Sequence, residues 1–100
     1  MQKGILMHQD HDTFVQAVKD RKKIILTYFS GVQKLDLTIL CIPVRYSPPV
    51  SQGGSEWYCF WDPEADVGER VLRLESSRIR YIELSDEPFD LADYAISEAN

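Results

Sequence analysis

Apolar positions near the start of the chain repeat with the spacing of a helix. The narrow apolar face consists of Phe14, Ala17 and Val18. This spacing predicts a short amphipathic helix over residues 12–22. Asp12 or Thr13 can cap its first turn, and Gln16 stands three positions after Thr13, in capping-box register.

After the helix the pattern changes to strands separated by turn-forming residues. The strand-like runs cover residues 23–29, 35–44, 56–62, 70–75 and 78–84. Pro43, near the end of the second run, indicates a strand end, a bulge or an edge position. One helix followed by five strands, with no helices between them, excludes a parallel βαβ arrangement and favours a small antiparallel barrel or curled sheet. The acidic tail either forms a short helix over residues 90–98 or is disordered.

The third strand carries bulky aromatic side chains on both of its faces. Because side chains alternate along a strand, Trp57, Cys59 and Trp61 face one way. Tyr58 and Phe60 face the other way. One set can fill the interior of a barrel, and the other set must be covered by the helix, a partner or a ligand.

Composition and charge narrow the function classes. The 100 residues fit one domain, and no apolar run approaches the roughly 20 residues that span a bilayer. The absence of a secretory signal pattern makes the cytoplasm the expected location. The net charge is −5, with +3 in residues 1–50 and −8 in residues 51–100. A protein this acidic binds nucleic acid poorly unless a local basic pocket provides the contacts.

Motifs for catalysis and for metal binding are absent from the sequence. It contains no G-x-S-x-G, no H-E-x-x-H and no phosphate-binding glycine loop, so we expect a non-enzyme without a cofactor. Cys41 and Cys59 lie in strand-like runs and are expected to be buried thiols without a disulfide. Together with His8 and His11 they do not form a convincing zinc ligand set, so no metal is expected.

Arginine is the basic residue that recurs among the strands. Five arginines lie in or beside them: Arg45, Arg70, Arg73, Arg78 and Arg80. They alternate along the chain with tyrosines and tryptophans. Arginine binds phosphate through two donors and stacks on aromatic rings, which favours a pocket for a nucleotide or single-stranded nucleic acid. The alternative is structural, with these arginines paired across the sheet to Glu56, Glu69, Glu75 and Glu83.

Several short motifs resemble the WYL domain, a bacterial module named after its Trp-Tyr-Leu strand. Trp57 and Tyr58 match the first two letters, and Cys59 replaces the leucine. Arg70 opens the next strand, "LRLESSRI" follows with two extra residues, and Phe89 matches the closing phenylalanine. Upstream, "AVKDRKKIILTYFS" and "IPVRY" match the initial helix and the first two strands. The resemblance covers roughly residues 12–90.

The resemblance implies a fold and a division of the chain. It implies an Sm-like or SH3-like five-stranded barrel preceded by a helix, spanning residues 12–90. Residues 1–11 would then be an N-terminal extension, and residues 91–100 an acidic tail. The chain has no helix-turn-helix, so we expect a stand-alone sensor that works with a partner, or a domain that has lost its regulator role.

The resemblance also implies a function in transcription regulation. WYL domains are thought to sense nucleotides or nucleic acid fragments through a basic and aromatic pocket. By position, this pocket would comprise Arg45, Trp57, Tyr58, Arg70, Arg73 and Arg78. The alternative function is a protein-interaction or homo-oligomerisation module that uses the exposed aromatic strand, for example as a homodimer.

Overall fold

A computed structural model of the protein describes residues 8–90. It contains one helix and five strands: α1 (His11–Asp20), β1 (Lys22–Ser30), β2 (Leu35–Ser47), β3 (Trp57–Trp61), β4 (Val71–Glu75) and β5 (Ile79–Pro88). Two short 3-10 helices, Val67–Glu69 and Ser76–Arg78, precede β4 and β5. The predicted tail over residues 91–100, with nearly all of the proposed helix over residues 90–98, lies outside the described residues.

The helix is shorter than predicted and begins differently. It ends at Asp20 because Arg21 adopts a left-handed conformation, with φ of 55°, and the next two lysines enter β1. The predicted cap at Asp12 or Thr13 was wrong, because Asp10 occupies the N-cap position and makes no side-chain capping bond. The Asp10 carboxylate instead accepts a 2.9 Å hydrogen bond from the backbone N–H of Ile82 and ties the helix start to β5.

The five strands form one antiparallel sheet in the order β4-β3-β2-β1-β5, which confirms the predicted fold class. The long strand β2 belongs to both halves, since its first part pairs with β1 and its last part with β3. The register shifts between Pro43 and Arg45, so the proline marks a bulge rather than the end of the strand. A bulge bends and twists a strand, and this one lies where the partner of β2 changes from β1 to β3.

The core lies between the concave face of the curled sheet and α1. Phe14 of the helix packs edge-on against two rings of β3, with centroid distances of 5.0 Å to Tyr58 and 5.5 Å to Phe60. All three side chains are buried, and burial of each apolar ring contributes about 1.5–3 kcal/mol to folding. A second, smaller cluster of Ile42, Trp61 and Phe89 lies on the opposite face of β3.

Candidate ligand-binding face

Strand β3 has an inner face, made of Tyr58 and Phe60, and an outer face. Both inner residues are fully buried in the main core. The Tyr58 hydroxyl and His11 Nδ1 are joined by a 2.8 Å hydrogen bond. Burial, with a smaller contribution from the negative charge of Glu56, raises the pKa of Tyr58 well above its usual value. Tyr58 therefore acts in this structure as a neutral core residue beneath the helix.

The strand register places two predicted site arginines beside the same residue on the outer face. Arg45 of β2 and Arg73 of β4 both pair with Cys59, one from each side. Directly paired residues point to the same face of a sheet, so both arginines project with Cys59 and the tryptophans. We use the term outer β3 face for the surface made of Arg45, Trp57, Cys59, Trp61 and Arg73.

Arg73 lies beside Trp57 on the outer β3 face. The Arg73 guanidinium carbon lies 5.1 Å from the centroid of the Trp57 ring, within the range of a cation–π contact. Trp57 is half-buried, while Arg45 and Arg73 are exposed. Two positive charges and one half-buried aromatic ring therefore share this face with the carboxylate of Glu75, which pairs with Trp57 and is itself half-buried.

The arginines of the outer β3 face have no carboxylate partner in the described part of the chain. The ion pairs found within residues 8–90 are Lys23–Glu87 and Arg80–Asp36. The sequence also allowed an alternative, in which the strand arginines pair across the sheet with glutamates. No such pair is found within residues 8–90, where ion pairs are formed by none of Glu56, Glu69, Glu75 and Glu83. Cross-strand charge neutralisation does not account for Arg45 and Arg73.

The other end of the outer β3 face is covered by the chain itself. Trp61 is 8% exposed and packs against Ile42 and Phe89. The guanidinium carbon of Arg70 lies 6.0 Å from the centroid of the Trp61 ring, and its Nε donates a 3.1 Å hydrogen bond to the carbonyl of Ala65. Arg70 therefore borders the face and is held by the loop before β4.

Arg78 lies apart from this face, in the 3-10 helix that connects β4 to β5. Its Nε and Nη2 donate to the backbone carbonyl of Phe29, at 3.2 and 3.0 Å. Of the six predicted site residues, the structure thus brings together Arg45, Trp57 and Arg73. Arg70 lies near Trp61 at the other end of the face, Tyr58 points into the core, and Arg78 lines a cleft with Tyr28.

Cys41 is buried as predicted, whereas Cys59, also expected to be buried, is half-buried because it lies on the outer face of β3; the two are not joined by a disulfide. Within residues 8–90, no three His, Cys, Asp or Glu side chains are grouped so that they could hold a metal ion. The helices of the described chain are too short or too polar to cross a bilayer.

Comparisons with known proteins address the fold. No protein-family model and no curated protein sequence matches the chain. The structure is similar to that of proteasome accessory factor B/C (PafBC) of Arthrobacter aurescens, with a TM-score of 0.62 and 16% sequence identity. The match covers 82% of this chain and 12% of PafBC, a regulator that contains a WYL domain. The described chain therefore shares the fold of the matched part of PafBC, in agreement with the fold that the resemblance to WYL domains implied.

Proposed function

We propose that this domain is a non-catalytic sensor that binds a nucleotide or single-stranded nucleic acid on the outer β3 face and has a regulatory role. The observation that carries the proposal is the exposed Arg73 guanidinium, 5.1 Å from the centroid of the Trp57 ring and without a carboxylate partner within residues 8–90. The fold shared with part of a regulator, PafBC, supports the regulatory role.

The geometry suits a ligand with both a base and a phosphate. A base can stack on the half-buried Trp57 ring, and such stacking is worth about 1–3 kcal/mol per base. Arg45 and Arg73 are two strands apart, so their Cα atoms are separated by roughly 10 Å, twice the spacing between neighbouring strands. This spacing lets the two guanidinium groups bind phosphates on either side of Cys59.

Tryptophan fluorescence at low salt tests the proposal directly. The purified domain is titrated with short single-stranded oligonucleotides and with mono- and dinucleotides, and a stacked base should quench Trp57. With two to three phosphate contacts, the logarithm of the affinity for a single strand should fall with the logarithm of salt concentration with a slope of about −1.4 to −2.1. A flat response from the folded domain would contradict nucleotide sensing.

A pair of matched arginine variants locates the site. Arg80 is the control, because its guanidinium carbon also lies near an aromatic ring, 5.7 Å from the Phe29 centroid, but Asp36 neutralises it. Arg73→Gln should weaken binding about tenfold, the effect of losing one charge-assisted contact. Arg80→Gln should leave the affinity within about twofold, as expected for a residue outside the site. Equal losses in both variants would show that the attraction is non-specific.

The alternative, a protein-interaction or homo-oligomerisation surface on the same strand, makes a different prediction. It requires a molecular mass that rises with concentration, and no affinity for nucleotides or oligonucleotides. Sedimentation equilibrium on the titration samples separates the two functions. A monomer that binds oligonucleotide supports the sensor, and a dimer without oligonucleotide affinity supports the alternative.

A further inference from the structure

A cleft of about 650 Å³ lies between the end of β1, the loop before β4, the start of β4 and the 3-10 helix before β5. Its polar lining includes Tyr28, Ser30, Asp62, Glu69 and Arg78. Small-molecule sites typically occupy about 300–1,000 Å³ and combine apolar walls with a few polar groups. Val71 and Leu72 provide an apolar wall here.

The cationic group of the cleft is held in place by the backbone. The Arg78 Nε and Nη2 atoms both donate to the Phe29 carbonyl, which orients the guanidinium plane. A guanidinium has five N–H donors, and these two bonds use one edge of it. Nη1 makes no hydrogen bond to residues 8–90, so this donor and the positive charge are available to a ligand.

The anionic groups of the cleft belong to the loop before β4. Asp62 accepts a 3.0 Å hydrogen bond from the backbone N–H of Glu64 through Oδ1, which fixes the carboxylate. Glu69 is exposed at the margin of the cleft. Neither carboxylate forms an ion pair with Arg78, although all three side chains line the same space.

The Tyr28 hydroxyl lies close to charges of both signs. Burial is the largest cause of its raised pKa, the negative charge of Asp62 raises it further, and the positive charge of Arg78 lowers it. The Tyr28 hydroxyl is thus influenced by the carboxylate of Asp62 and by the guanidinium of Arg78, which form no ion pair with each other. A ligand with both charges can bridge this gap, whereas a purely anionic ligand would be repelled by the carboxylates.

We propose that this cleft binds a small zwitterion, an α-amino acid with an apolar side chain. Its carboxylate pairs with Arg78, and its ammonium group pairs with Asp62 and Glu69. Its side chain lies against Val71 and Leu72. This site shares no lining residue with the outer β3 face, so it gives the domain a second ligand class and does not depend on the proposed nucleotide binding.

Binding is measured by NMR chemical shifts of ¹⁵N-labelled protein titrated with L-leucine and L-phenylalanine. We expect saturable shifts at the cleft glycines, Gly31 and Gly68. Two matched probes remove one charge each: leucinamide lacks the carboxylate, and N-acetyl-L-leucine lacks the ammonium group. Each should bind about tenfold or more weakly, because one charge-assisted pair is lost. Equal binding of either probe, or no cleft shifts with both amino acids at millimolar concentration, would overturn the proposal.

Conservative variants test whether the two carboxylates bind the ammonium group of the ligand. Glu69→Gln changes an exposed side chain, and Asp62→Asn keeps the Oδ1 acceptor for the Glu64 N–H, so both should fold. Each should weaken L-leucine binding about tenfold. The control Glu83→Gln removes an exposed carboxylate of β5 that does not line the cleft, and should leave the affinity within about twofold. Unchanged leucine binding in both cleft variants would refute the role of the carboxylates.

The Arg73→Gln variant separates this site from the outer β3 face. It should retain full leucine affinity, because Arg73 does not line the cleft. A loss of leucine binding in the correctly folded variant would mean that the two regions are not independent, and would overturn the second site.

Discussion

The two faces of β3 show how one short strand can serve both folding and recognition. On the inner face, Tyr58 and Phe60 are fully buried and contact the helix through Phe14. On the outer face, Trp57 is half-buried next to Arg73. Both faces are aromatic. The inner rings contact other rings, whereas Trp57 contacts an arginine that has no carboxylate partner in the described part of the chain.

This difference shows that aromatic content alone does not identify a core strand. What distinguishes the faces is the chemistry of their neighbours in space. An aromatic ring among apolar side chains is explained by burial. A ring beside arginines without carboxylate partners in the described chain is suited to binding an anion. Substitutions of the inner rings should therefore change stability, and substitutions of Trp57 and Arg73 should change binding.

The largest expected effect is the loss of an inner ring. Phe60→Ala leaves a cavity beneath α1 and should lower the free energy of unfolding by about 3–5 kcal/mol. Trp57→Ala removes a half-buried ring and should cost only roughly 1 kcal/mol. Urea denaturation followed by circular dichroism measures both. If the two variants are equally unstable, the distinction between the faces fails.

Alkaline pH should weaken the fold through ionisable groups of the main core. Burial is the main cause that raises the pKa of Cys41 and of Tyr58. Both groups are neutral when protonated, with usual pKa values of about 8.5 and 10. Above these values the unfolded chain loses protons that the folded chain keeps, so stability falls as pH rises, by up to about 1.4 kcal/mol per pH unit for each group.

Urea denaturation between neutral and strongly alkaline pH tests this expectation. Tyr58→Phe removes one of the buried groups whose pKa is raised, so the stability of the variant should fall less steeply than that of the unmodified protein in the pH range where tyrosine titrates. An identical pH dependence in both proteins would show that Tyr58 keeps an ordinary pKa in the folded state.

An intermediate effect is expected for binding at the outer face. Trp57→Ala should weaken oligonucleotide binding by about 1–3 kcal/mol, the value of one stacked base. Because the substitution removes the fluorescent reporter, the measurement is fluorescence anisotropy of a labelled oligonucleotide. The control Phe29→Leu alters the ring beside Arg80, on the other half of the sheet. Unaltered binding by Trp57→Ala would place the ligand elsewhere.

The smallest expected effect tests whether a carboxylate partner is what distinguishes Arg80 from Arg73. Asp36→Asn breaks the exposed 3.3 Å ion pair with Arg80 and should change stability by less than about 1 kcal/mol. It leaves Arg80 near Phe29 without a neighbouring negative charge, so anion binding there should increase slightly. If the Asp36→Asn variant bound anions at Arg80 as tightly as the outer β3 face does, any strand arginine without a carboxylate partner would be sufficient for anion binding.

Much of the fold could be predicted because it depends on local signals. Strand-like runs separated by turn-forming residues located all five strands, and the order of one helix and five strands indicated the antiparallel sheet. Pro43 was correctly associated with a bulge as one of three alternatives. The helix boundaries were less accurate, since the left-handed conformation of Arg21 and the bond from Ile82 to Asp10 depend on where β1 and β5 lie.

The candidate site was predictable only in part. Arg45, Trp57 and Arg73 lie on three different strands, and residue types alone suggested that they belong together. Their shared face follows from pairing with Cys59, which depends on register. Tyr58 is buried in the core and Arg78 lies outside the outer β3 face. No local sequence signal indicates either position, because both result from packing against distant segments.

The sequence by itself therefore determined the order of the elements, the alternation along β3 and the absence of recognisable catalytic motifs, because these properties depend on neighbouring residues. The tertiary structure decided which aromatic residues stay accessible, since Phe89 returns from the end of β5 to cover Trp61. It also formed the cleft, in which Tyr28, Asp62 and Arg78 meet from three separate segments. Such contacts depend on strand register and loop paths, which local patterns of apolar and polar residues do not encode.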